Sequence, residues 1–211
     1  MNLLVRPSQR TQRRLTRGLQ LALIGIAVYG VVYTEPKAIA NGSISLLITM
    51  VPALLERNYR VPLDPWLGLW ITLAVVLHTL GSAGLYAQFG WWDSLTHAMS
   101  ASLVAGVGYT FARGVDLHSD RVRLPKQFFF VYVLVVVLAF AVFWELFEFG
   151  LDLLAEETGV TMPLAQFGLD DTVKDLMFNF LGAVLVAVFG QVHLSGVVER
   201  ILEERLAAER A

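Results

Sequence analysis

The chain has 211 residues, no cysteine and a formal net charge of −2, and 56% of its residues are hydrophobic, with a mean hydropathy of +0.61. These values lie outside the range of a soluble domain and point to an integral membrane protein. Lack of cysteine excludes disulfides and thiolate metal sites.

Apolar runs of about 18 or more residues predict six membrane spans in an all-α, polytopic transmembrane helix bundle. A basic segment, residues 1–17, carries Arg6, Arg10, Arg13, Arg14 and Arg17 and precedes the first span, 18–34. The run Ala38-Ile39-Ala40 resembles a signal cleavage site, but it lies several residues past the apolar stretch, and the basic region is long for a signal peptide. Orientation and anionic headgroups account for the five arginines without nucleic acid. The second span, 38–55, is interrupted by Asn41, Gly42, Ser43 and Pro52. The third, 66–89, carries His78 somewhat past its middle.

Trp91 and Trp92 mark a membrane interface, and the fourth span, 92–111, then opens with Asp93 and His97. The fifth, 128–151, holds Glu145 and Glu148 among Phe143, Trp144, Phe147 and Phe149. A loop without basic residues, 155–170, is placed to cover the polar groups like a lid. The sixth span, 172–191, brings Asp175 and Asn179, with Asp171 at its edge. Beyond the transmembrane domain, 18–194, the tail 195–211 sets Val197, Val198, Ile201, Leu202 and Leu206 among charges at helical spacing and is expected to form an amphipathic cytoplasmic helix.

Of 16 lysines and arginines, only Lys37 and Lys174 fall in the alternate set of loops. The rest belong to the termini and to the loops after spans two and four, so both termini are expected in the cytoplasm. Asp93 and His97, Glu145 and Glu148, and Asp171, Asp175 and Asn179 then share the outer half of the membrane, with His78 near the same depth. Residues three or four apart share a helix face. The faces continue inward with Ala101, Ala105 and Gly108 after His97, and with Gly182 and Gly190 after Asn179, and small residues let helices approach closely. The polar faces are therefore expected to point into the bundle.

Five acids there face one lysine, Lys174, and buried ionisable groups are costly. A bound divalent metal, protonated carboxyls or an aqueous cavity would each offset the charge. Mixed histidine and carboxylate donors suit zinc, manganese or iron. Asp93, His97, Asp171 and Asp175 are the expected ligands, and Glu145 and Glu148 the expected catalytic acids and bases. Asn179 could orient a ligand or substrate, while His78 is a further member of the cluster. Capping of helix N-termini is the competing role for Asp93, Asp170 and Asp171.

In Asp93-Ser94-Leu95-Thr96-His97, Trp144-Glu145-Leu146-Phe147-Glu148 and Asp171-Thr172-Val173-Lys174-Asp175 with Asn179 and Gly182, the chain resembles the YjdF-like family of prokaryotic membrane proteins of unknown function. The order of these motifs is also similar to that of VanZ-like proteins, implicated in glycopeptide resistance. The resemblance covers roughly residues 60 to 192 and implies a multi-pass protein of the cell membrane. Three functions stay open: a metal-dependent hydrolase or transferase acting on a lipid-linked substrate at the outer leaflet, a proton- or ion-coupled transporter, and a non-catalytic scaffold or lipid-binding protein. Membrane lipids are the expected partners, and the oligomeric state is undetermined.

Overall fold

The computed structural model describes residues 7–59, 63–119, 121–159 and 168–188, and its regular structure there is entirely helical. The expected tail helix 195–211, His193, residues 189–191 of the sixth span and most of the proposed lid lie outside the described residues. Two compact units divide the chain: residues 1–89 with 159–163, and residues 90–158 with 164–211.

In the first unit, Ser8 Oγ accepts a hydrogen bond from Thr11 N at 3.3 Å, so α1 (Gln9–Tyr33) begins well before the apolar stretch and takes in Arg10, Arg13, Arg14 and Arg17. It stops at Thr34, whose φ of 54° is left-handed. Helix α2 (Pro36–Tyr59) runs through the residues that seemed to interrupt the second span. They form its packing face. Asn41, Ser45 and Thr49 are buried one turn apart. Ser45 Oγ lies 2.8 Å from Thr79 Oγ1, and Gln20 Nε2 donates to Thr49 Oγ1 at 3.1 Å. Gly42 sits so close to α1 that a Cβ would lie 2.8 Å from Ala27 N. Polar and small residues in this helix thus hold neighbours together by hydrogen bonds and close contact.

Helix α3 (Pro65–Leu80) starts where Asp64 accepts from Trp66 N at 2.9 Å, with proline in its first turn. It ends in a kinked segment, Gly81–Leu85, leading into the short α4 (Tyr86–Gln88). Gly84 adopts φ 136° there, a conformation that a side chain would make costly.

The second unit consists of α5 (Gly90–His118), α6 (Lys126–Thr158) and α7, described over residues 169–188. Ala101, Ala105 and Ala112 of α5 share a core with Val133 and Val137 of α6 and Ala183 and Ala187 of α7. The small residues expected after His97 and Asn179 do bring these helices close. A Cβ on Gly182 would lie 2.6 Å from Ala98 O. At the other end of α5, buried Asp116 closes the turn into α6. It accepts from Arg113 Nη1 at 2.6 Å and from Leu124 N at 2.8 Å.

Among the described residues, four helical stretches are long and apolar enough to cross a membrane: Gln9–Tyr33, Pro36–Asn58, Pro65–Gln88 and Lys126–Thr158. Helix α5 falls short by composition because it carries polar groups. Asp93, His97, Arg113 and Asp116 lie on α5, and Asp170, Asp171, Lys174 and Asp175 crowd the first turns of α7. Helix α6 has an inverted pattern for a soluble helix. Glu145 is 5% exposed while Phe143 is 64% exposed, as expected when the surroundings are lipid and the interior holds the polar groups.

Candidate metal centre

Several ionisable residues of the second unit gather at one end, away from Asp116 and Arg113. Helix α5 starts at Gly90, which puts Asp93 in the first turn rather than at the N-cap. The Thr96 hydroxyl donates to Asp93 O at 2.8 Å. One turn on, His97 Nε2 stands 3.6 Å from Asp93 Oδ1 and 3.6 Å from Asp175 Oδ2 of α7. Asp175 and Asn179 are buried, and Asn179 Nδ2 lies 3.2 Å from His97 Nδ1. One ligand atom each from Asp93, His97 and Asp175 falls within 4.8 Å of the others.

Both 3.6 Å contacts fall within ion-pair range of a protonated imidazole. The same three side chains could also hold a metal ion between them.

Asp171 does not join this three-residue group. It sits one turn before Asp175, about 6 Å along the helix, and acts on Asp93 and Asp175 at electrostatic range. Helix α7 begins after Gly168, whose φ is 103°, and Asp171 N bonds to Gly168 O at 3.1 Å. Asp170 and Asp171 therefore occupy the first turn, not the cap, where the helix dipole favours negative charge. Glu145 and Glu148 are buried on one face of α6, and both lie within electrostatic range of Asp175. Five carboxyl groups from three helices thus share one end of this unit, and Lys174 is exposed.

His78 belongs to the first unit. Its Nδ1 lies 2.7 Å from Tyr86 Oη, and the Tyr86 ring covers Gly81 so closely that no Cβ would fit there. On an unbroken helix, residues eight apart would be about 12 Å apart along the axis, so it is the kink at Gly84 that brings Tyr86 back to His78. Sequence reasoning assigned Tyr86 no role. Its only signal was the glycine pair, Gly81 and Gly84, flanking Ser82 and Ala83.

An all-helical chain with several bilayer-length apolar helices and ionisable groups turned inward is a multi-pass membrane protein. It belongs to the family described as "Predicted membrane protein (DUF2238)", whose family model matches residues 15–196. No curated protein and no solved structure matches the chain.

Proposed function

We propose that this protein is a metal-dependent hydrolase or transferase of the cell membrane, acting on a lipid-linked substrate at the outer leaflet. The observation that carries this reading is the spacing of Asp93, His97 and Asp175, whose ligand atoms lie within 4.8 Å of one another. One imidazole and two carboxylates suit zinc, manganese or iron. Three protein ligands leave a coordination position open, the mark of a catalytic rather than a structural site. Asp171 supplies further negative charge. Glu145 or Glu148 is the general base that takes a proton from water held at the centre.

The distribution of basic residues supports six spans with both termini in the cytoplasm, which turns the start of α5 and the end of α6 outward. The ordered motifs support kinship with YjdF-like proteins and, more distantly, with VanZ-like proteins. One observation favours a second reading. The kink at Gly84 beside His78 resembles the interrupted helices on which carriers build proton or ion sites.

Turnover of a panel of phospholipids and polyprenyl phosphates by purified protein tests the proposal. Asp175→Ala should lose both metal and activity, whereas Glu145→Gln or Glu148→Gln should keep the metal and lose turnover. Equal metal content and equal turnover in Asp175→Ala and the unmodified protein would overturn it.

A further inference from the structure

The His97 ring is held from both sides, and the two sides differ in chemistry. Nε2 faces the carboxylates of Asp93 and Asp175, each at 3.6 Å. Nδ1 faces the buried Asn179 amide at 3.2 Å. A neutral imidazole carries one N–H and one lone pair, so whatever Asn179 offers to Nδ1 decides what Nε2 presents to the acids.

From this geometry we infer that Asn179 is a positioning residue: it fixes the His97 ring so that Nε2 is the metal-ligating atom, and it serves both the empty and the loaded centre by turning its amide over. The inference rests on the metal reading of the preceding section. Without an ion, the Asn179 NH2 group donates to Nδ1, the ring proton sits on Nε2, and that N–H points at the two carboxylates. Binding of an ion needs the Nε2 lone pair. The proton then belongs on Nδ1, which becomes a donor and requires an acceptor. A half-turn of the Asn179 side chain brings Oδ1 into the place of Nδ2 and supplies it. Ligating histidines generally donate their second N–H in this way, and the partner fixes both tautomer and ring orientation. An amide can play both parts because it carries a donor and an acceptor on one planar group. An aspartate offers acceptors only, and a leucine neither.

The test uses full-length protein in detergent, with 15N-labelled histidine and with zinc as the probe. His97 is identified among the four histidines by loss of its signal in His97→Gln. Metal-free unmodified protein should show His97 with its proton on Nε2, and zinc should move that proton to Nδ1. Asn179→Asp should show the Nδ1–H form before any zinc is added and should still bind zinc. Asn179→Leu should weaken zinc binding by about 10- to 100-fold, the usual effect of removing a partner of a ligating histidine. A residue that merely filled space would leave the tautomer unchanged. The inference is overturned if Asn179→Asp keeps the unmodified protein's tautomer, or if Asn179→Leu binds zinc as tightly as the unmodified protein. If the unmodified protein binds no zinc, the metal reading fails by itself, and the metal-free tautomer of Asn179→Asp still decides whether Asn179 governs the ring.

Discussion

Replacing Gly182 with alanine should damage the centre without touching any group in it. A Cβ at this position would lie 2.6 Å from Ala98 O, 3.1 Å from Ala101 Cβ and 3.3 Å from Ala98 Cα. Carbon–oxygen contacts between helices settle at about 3.3–3.6 Å, so α7 must withdraw from α5 by about 0.7 Å to reach even the lower figure. Asn179 is less than one turn from Gly182. The same withdrawal would stretch its contact with His97 from 3.2 Å to about 3.9 Å, beyond hydrogen-bond range. Crowding of this kind costs about 1–3 kcal/mol. Thermal unfolding and zinc titration in detergent should show a lower melting temperature and weaker zinc binding for Gly182→Ala. Gly108→Ala is the matched control. Its Cβ would meet side-chain atoms alone, Val136 Cγ1 at 3.3 Å, Val136 Cβ at 3.7 Å and Tyr132 Cε1 at 3.9 Å, and both measurements should stay near those of the unmodified protein. Unchanged stability and zinc affinity in Gly182→Ala would refute the close α5–α7 approach on which the centre depends.

Asp116→Ala removes the acceptor for Arg113 and Leu124 N and should destabilise the protein by about 1.5–3 kcal/mol in denaturant titration. Its zinc affinity should be unchanged, because Asp93 and Asp116 are separated by about 35 Å along α5. Gly84→Ala forces a side chain into φ 136° and should cost about 1–3 kcal/mol of stability, again measured by unfolding. Reporter fusions after Thr34, Gly90 and Gly159 should read outside, and those after Arg60 and Ser119 inside. A cytoplasmic signal at Gly90 would contradict the outer-leaflet placement.

The candidate centre was largely legible in the sequence because helical spacing alone puts Asp93 with His97 and Asp175 with Asn179. Small residues at the same spacing then indicated which faces meet, as the Gly182 contact with Ala98 bears out. Spacing carried less information about depth. Asp171 shares a face with Asp175, yet it lies outside the three-residue group, because spacing along one helix does not say which turn meets the neighbouring helix. Helix starts set by short-range hydrogen bonds also escaped the hydropathy pattern, as at Ser8, which extends α1 through its arginines. The polar face of α2 looked like a broken span because hydropathy cannot tell a polar residue facing a neighbouring helix from one in a loop. The pairing of His78 with Tyr86 depends on the kink at Gly84, and no periodicity reports one in advance.

Metal analysis of the purified full-length protein tests the central claim most directly. Protein prepared without chelator should contain close to one divalent ion per chain, and His97→Ala and Asp175→Ala should contain none. Removing the ion should lower the melting temperature, and adding it back should restore it, because a ligand that binds only the folded state stabilises that state. Absence of stoichiometric metal, with no change in melting temperature when zinc, manganese or iron is supplied, would contradict the account and leave protonated carboxyl groups as the explanation of the acidic cluster.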